Sequence, residues 1–198
     1  MQSLSSFRKP PIDKTVGIEI ECFYSVFVTV ERRQYSGFFY ATSDGSINPD
    51  NWSQTAIEWV SQPLTCEWLK KEIVKLEKKY GNWMWNESCG IHIHVSRKWL
   101  SEKKAGAIYA FIQSLSEDDY LHFFGRTTNN YCRTHYALGH SRYSAVNIEN
   151  KHTVEIRVFR SGDAAWAQYC VDCVKYMVDH AYHLNVEAFS AFRRLYNV

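Results

Sequence analysis

Apolar residues occupy every second position in three separate stretches of the chain. Val16, Ile18, Ile20 and Cys22 alternate with polar neighbours, and residues 15 to 30 read as a long strand. Ile91, Ile93 and Val95 repeat the pattern, and Val154, Ile156 and Val158 repeat it within Thr153 to Phe159. Tyr35 to Thr42 and Ala56 to Val60 give two further strands around the turn Asp44-Gly45-Ser46. Ala145 to Ile148 pairs with Thr153 to Phe159 as a hairpin; a two-residue turn at Asn150-Lys151 sets Val146 opposite Glu155. Elsewhere the period becomes that of a helix face. Leu69, Ile73, Leu76 and Tyr80 predict a helix over 66 to 80. Ser101 caps a second helix carrying Ala105, Ile108, Tyr109, Ile112 and Leu115, and Trp166, Cys170, Cys173, Val174 and Met177 mark a long helix from about 164 to 184. Strands joined by hairpins and long returns, with helices gathered outside them, predict an α+β fold.

The polar halves of these strands carry the chemistry. Successive strand side chains point to opposite faces, so Glu19 and Glu21 project together, away from Ile18 and Ile20. His92 and His94 share a face in the same way, as do Glu155 and Arg157. If the apolar sides share one core, the ionisable sides meet on one surface. Carboxylates gathered so closely repel and raise one another's pKa unless cations compensate, and bound metal is the natural compensation. Oxygen ligands suit Mg²⁺ or Mn²⁺, with imidazole favouring Mn²⁺. Zinc is the competitor for the His-x-His pair, but the excess of glutamates argues for harder sites that leave room for phosphate.

Composition narrows the class without deciding it. With 198 residues, 45% hydrophobic and 22% charged, the chain reads as one domain over 1–198, without repeats or linkers. A chain of this length buries about 70% of its unfolded surface, so disulfides are not needed for stability. The six cysteines include only one close pair, Cys170 and Cys173, and read as buried reduced thiols, Cys89 among them. No apolar stretch is long enough for a bilayer, and the N-terminal residues lack the core of a secretory signal, so a cytoplasmic setting is expected. A net charge of +2 and scattered basic pairs do not indicate nucleic-acid binding. No exposed apolar stripe argues for an oligomer.

The ordered series Gly17-Ile18-Glu19-Ile20-Glu21, Asp44-Gly45-Ser46, Glu58-Trp59-Val60-Ser61-Gln62-Pro63-Leu64, Gly90-Ile91-His92-Ile93-His94, and Arg142-Tyr143 through Asn147 to Glu155-Ile156-Arg157 resembles the amidoligase family. That family is similar in its catalytic domain to glutamine synthetase and glutamate–cysteine ligase. The resemblance runs from about residue 16 to 162. It implies a curved, mainly antiparallel sheet with helices on its outer face, holding two or three divalent ions, with ATP entering from one end and an acid and an amine from the other. Glu19, His92 and Glu155 would hold the metal beside the γ-phosphate. Glu21 and Glu58, with Asp44 beside them, would hold the metal nearer the acid; the two groups are interchangeable between the sites. His94 would face the nucleotide phosphates or the acid, and Arg142 and Arg157 would neutralise the transferring phosphoryl group.

The chemistry implied is that of an ATP-dependent carboxylate–amine ligase. The γ-phosphoryl group moves to the carboxylate, and an amine then displaces phosphate. Asp44 and Glu58 are the candidate bases for the incoming ammonium. Competing readings are a metal-dependent hydrolase acting on a phosphoester or amide, an inactive binding or assembly module on the same fold, and a guanidino kinase. Residues 125 to 140, with Arg126, Arg133, His135 and His140, read as a loop over the site. His180 and His183, three apart on the last helix, read as structural.

Overall fold

The computed structural model describes residues 14–25, 35–81, 83–130, 132–134, 141 and 143–196. Arg142, His135, His140 and residues 26–30 of the predicted first strand lie outside these described residues. The architecture is α+β. Among the described residues seven strands form one sheet: β1 (Val16–Ser25), β2 (Tyr35–Ser36), β3 (Phe39–Thr42), β4 (Gln54–Ser61), β5 (Gly90–Ser96), β6 (Val146–Asn147) and β7 (Thr153–Arg160). Their order is β2-β3-β4-β1-β5-β7-β6, every neighbouring pair is antiparallel, and β1 lies at the centre.

The period-two pattern separates the two faces of this sheet. Ile18, Ile20 and Cys22 of β1, Ile57 and Trp59 of β4, Ile91, Ile93 and Val95 of β5, and Val154 and Ile156 of β7 are at most 1% exposed and belong to one hydrophobic core. The helices complete that core. α1 (Cys66–Tyr80) and α4 (Ala164–Asp179) contribute Leu69, Ile73, Leu76, Cys170, Val174 and Met177, and pack against each other across the sheet. Thr65, Ser101 and Asp163 cap α1, α2 (Glu102–Ser114) and α4, each accepting from a backbone N–H of the first turn. No helix among the described residues is long and apolar enough to cross a membrane. All six cysteines are buried free thiols.

Several elements differ from the sequence reading. Tyr35 to Thr42 is a tight hairpin and not one strand, because Gly37 adopts φ 60°, a turn conformation open to glycine. The long helix predicted to reach 184 ends at Asp179. His180 is its C-cap, with Nδ1 2.9 Å from the Tyr176 carbonyl, and the Asn185 side chain starts a separate helix, α5 (Val186–Arg193), by accepting from Ala188 N–H at 2.9 Å. His180 and His183 therefore sit in a turn, not on a helical face. A short helix, α3 (Glu117–Phe124), follows α2, opened by Ser116 and closed by Gly125 at φ 70°.

The hairpin register is also shifted. Asn147, and not Val146, stands opposite Glu155. The turn is longer than two residues: Asn147 Oδ1 accepts from Glu149 N–H, Asn150 Oδ1 accepts from His152 N–H and Thr153 N–H, and the Arg97 guanidinium donates to the Ile148 and Asn150 carbonyls. These side-chain bonds hold the backbone at Ile148, Glu149, Asn150, His152 and Thr153 around the turn.

Gly125 carries a second constraint besides its left-handed backbone. A β-carbon there would stand 2.5 Å from Arg160 Nε and 2.6 Å from Arg160 Cδ. Gly125→Ala is therefore expected to cost about 1–3 kcal/mol from backbone strain alone, measured by urea unfolding, while β1, β4 and β5 keep their native signature.

Candidate metal centre

The sheet register brings the ionisable faces of four adjacent strands together. Glu19 stands opposite His92, Glu21 opposite Glu58, and His94 opposite Glu155. Residues directly opposite across a ladder share a face, so β4, β1, β5 and β7 present Glu58, Glu19, Glu21, His92, His94 and Glu155 to one side. At one end this polar face stops at Phe23, which packs with Ile47 and Cys89 in a small separate apolar cluster.

A β-bulge shapes the β5–β7 edge. Ile93 pairs with Ile156 but Ile91 pairs with Phe159, so Arg157 and Val158 together oppose His92. Glu155 and Arg157 share the polar face by ordinary alternation, and the extra residue then reverses the alternation, setting Arg160 opposite Gly90.

Distances within the cluster are short. His92 Nδ1 is 3.2 Å from Glu19 Oε2 and 3.6 Å from Glu155 Oε1, and its Nε2 is 3.6 Å from Glu21 Oε1. Glu21 Oε2 accepts from Gly90 N–H at 2.6 Å. Glu155 accepts from the Asn147 amide at 2.9 Å and from the Arg157 guanidinium. Asp44 Oδ1 accepts from Ser46 N–H and Oγ at 2.7 and 2.8 Å, which fixes the Asp44-Gly45-Ser46 turn at the rim. A cleft of about 320 Å³ lies over the group, lined by Glu19, Asp44, Glu58, His94, Glu155 and Arg157 among others.

The electrostatics are those of an uncompensated acidic site. Burial pushes Glu58 up, the neighbouring Glu19, Glu21 and Asp44 charges add to it, and its pKa rises from 4.5 to about 8. Burial likewise raises Glu21, only partly offset by His92 and by the Gly90 N–H. Glu19 goes the other way: burial opposes its charge, but the hydrogen bond with His92 and the proximity of the His92 and His94 imidazoles outweigh that and hold it low. His94 is opposed by burial and raised by Glu19 and Glu155.

The donor set fits divalent cations. His94 Nε2 is buried and has no hydrogen-bond partner, although Glu19 Oε1 lies 3.0 Å away and out of line. An unaligned imidazole nitrogen beside a carboxylate oxygen is the arrangement of two ligands around a shared ion. Among the described residues, three overlapping groups have ligand atoms within 4.8 Å of one another: Glu19, His94 and Glu155; Glu19, Glu58 and His92; Glu21, Asp44 and Glu58. The third is the group expected beside the acid. The first two divide the set expected beside the γ-phosphate, one adding His94 and the other Glu58, which was expected in the other site. Five carboxylates with two imidazoles suit Mg²⁺ or Mn²⁺.

Of the residues expected from sequence, Glu19, Glu21, Asp44, Glu58, His92, His94, Glu155 and Arg157 come together here. Asn147, Ser46 and Tyr143 line the same cleft and were not read as site residues. Asn147 and Tyr143 stood inside the motif series, but only the hairpin register turns Asn147 toward Glu155. No family model and no curated protein matches the chain.

A pH dependence follows. Unfolded, Glu58 would lose its proton near 4.5; folded, it keeps it to about 8. Between those values the folded state binds more protons, so the metal-free protein loses stability as pH rises. His94, raised above its ordinary 6.5, contributes stability below that value that is lost as pH climbs through its folded pKa. Both act in one direction. The melting temperature without metal is expected to fall from about pH 5 to about pH 8, and affinity for Mg²⁺ or Mn²⁺ to rise about tenfold per pH unit below pH 8, as the ion displaces one proton. Differential scanning fluorimetry across pH, with and without metal, checks both slopes.

Proposed function

We propose that this chain is an ATP- and divalent-metal-dependent carboxylate–amine ligase on a glutamine synthetase-like curved sheet, forming an amide or isopeptide bond through an acyl phosphate. The supporting observation is the set of three overlapping carboxylate–imidazole groups on the central strands. A second cleft, about 580 Å³, adjoins it at the Gly17–Glu19 end, sharing Glu19 and His94 and lined by Arg97, Lys98 and Lys151. Three cations at the mouth of a metal-binding surface suit a polyphosphate.

Bound Mg²⁺ or Mn²⁺ supplies charge neutralisation and template for phosphoryl transfer. The chain's own groups do the rest. Arg157, bound to Glu155, lines the cleft and places a positive charge where charge builds on the transferring group. Asn147 holds Glu155 from the other side, so the carboxylate cannot rotate away from the cluster. Asp44 and Glu58, together at the Glu21 end of the cluster, are the carboxylates placed to take a proton from an ammonium nucleophile. The acceptor would be a small-molecule or peptide amine.

An acyl phosphate carries one oxygen of the acid into the released phosphate. A panel of amino and dicarboxylic acids labelled with ¹⁸O in the carboxylate, incubated with ATP, Mg²⁺ and amines, is expected to give singly labelled inorganic phosphate by ³¹P NMR. Unlabelled phosphate, its fourth oxygen taken from solvent water, would replace the ligase reading with metal-dependent hydrolysis.

A further inference from the structure

The outer face of α1 is charge-segregated. Trp68, Lys71, Lys75, Lys78 and Lys79 are exposed and recur at helical spacing, so they form one stripe along the helix. The carboxylates of α1 are drawn elsewhere. Glu67 lies 3.5 Å from Lys70 at the edge of the stripe, where the two cancel. Glu72 is buried and meets Lys75 Nζ at 2.6 Å, and Glu77 accepts from Ala164 N–H at the start of α4. Among the described residues no carboxylate pairs with Lys71, Lys78 or Lys79, and Lys79 Nζ rests 5.0 Å from the centroid of the Tyr80 ring. Four lysines against one carboxylate, Glu72, leave +3 on the stripe, more than the +2 of the whole chain.

Charge of one sign gathered in a row attracts a polyanion, and the make-up of this row selects a lipid surface over a nucleic acid. It lies on the convex outside of a straight helix, about 12 Å from Lys71 to Lys79. It holds ammonium groups and no guanidinium, so it offers point charges and not the planar forks that grip a phosphodiester. At its N-terminal end Trp68 is 50% exposed and meets Phe38 of the β2–β3 turn edge-on, with ring centroids 6.5 Å apart. A half-exposed indole beside lysines suits the headgroup boundary of a bilayer, where the ring enters the interface and the ammonium groups stay with the phosphates. The fold agrees with that orientation. α1 covers the apolar face of the sheet and the metal centre lies on the other, so docking through α1 leaves the metal centre facing away from the bilayer.

We infer that α1 is a docking face for a membrane surface rich in anionic phospholipid, held by Lys71, Lys75, Lys78 and Lys79 with Trp68 at the interface. The contact needs neither metal nor ATP and stands apart from the ligase reading. Each lysine brought to an anionic surface strengthens binding about fivefold. Four lysines and one indole make a reversible contact, without the near-permanent hold of a membrane-spanning helix.

The test is co-sedimentation of the whole chain, in EDTA, with vesicles of phosphatidylcholine alone or with about 30% phosphatidylserine. Binding is expected with the anionic vesicles only, and is expected to weaken as salt is added. The double variant Lys71→Gln/Lys78→Gln is expected to partition about 25-fold less strongly. Lys103→Gln/Arg194→Gln removes the same charge from exposed positions off the stripe, and is expected to change partitioning by less than about threefold. Circular dichroism verifies the fold of each, and Lys78→Gln alone, with an expected loss of about fivefold, serves if the stripe double variant unfolds. Brominated lipid in the anionic vesicles is expected to quench tryptophan fluorescence in the wild type and not in Trp68→Phe. No binding to anionic vesicles, equal binding to neutral ones, equal losses in the two double variants, or quenching that persists in Trp68→Phe overturns the inference. An oligonucleotide duplex that strips the protein from the vesicles at matched phosphate concentration overturns it too, and reassigns the stripe to nucleic acid.

Discussion

Glu19→Ala is expected to lower affinity for Mn²⁺ or Mg²⁺ by more than about 100-fold, beyond the 10- to 100-fold typical of removing a group that only supports a ligand. Glu19 belongs to two of the three ligand groups and lies within 3.2 Å of both His92 and His94. Its loss removes a direct ligand and also the partner that orients two imidazoles. The same substitution takes one negative charge away from Glu58, whose pKa is raised in part by Glu19. Glu58 should then titrate closer to the ordinary carboxylate range. Mn²⁺ titration followed by electron paramagnetic resonance reads the first effect, and carboxylate NMR reads the second. Wild-type affinity in a folded Glu19→Ala protein would remove the four-strand surface as the metal site.

The second large effect lies far from that surface. Phe189, 0% exposed, is the buried anchor of α5 and packs its ring against Phe111, Phe123, Phe124, Tyr176 and Phe192 at centroid distances of 4.8 to 6.2 Å. Phe189→Ala deletes the ring that joins α2, α3, α4 and α5. The expected cost is about 3–5 kcal/mol, or a fall in melting temperature of roughly 6–20 °C for a chain of this size. Metal affinity should be unchanged below the melting transition, because α5 makes no part of the polar face. Chemical denaturation and Mn²⁺ titration of one preparation check both halves of the expectation.

How much of this was legible in the sequence depends on the range of the signal. The α1 helix ends at Tyr80 as its spacing of Leu69, Ile73, Leu76 and Tyr80 predicts, and β5 keeps its isoleucines and histidines on opposite faces throughout. These are local patterns, and a strand cannot place His92 and His94 outward without sending Ile91 and Ile93 inward. The convergence of Glu19, Glu21, His92, His94 and Glu155 followed from the same alternation. What escaped is set by pairing. One bulge at Arg157-Val158 redirects Arg160, and nothing in the local sequence announces an extra residue there. One residue of hairpin register exchanges Val146 for Asn147 as the neighbour of Glu155. Apolar residues continuing past Met177 made one long helix of two, although Asn185 with Ala188 three residues on was a readable cap. Arg126 closes against Gly90 from just beyond the end of α3, a placement that only the tertiary fold supplies.

The most direct test of the central claim is calorimetric titration of the wild-type protein with ATP in the presence of Mg²⁺ or Mn²⁺, set beside Glu19→Ala and Glu155→Ala variants of verified fold. Saturable ATP binding that requires the metal and is lost in both variants is the predicted result. A folded wild-type protein that takes up the metal but ignores ATP, with either ion, would contradict the ligase account.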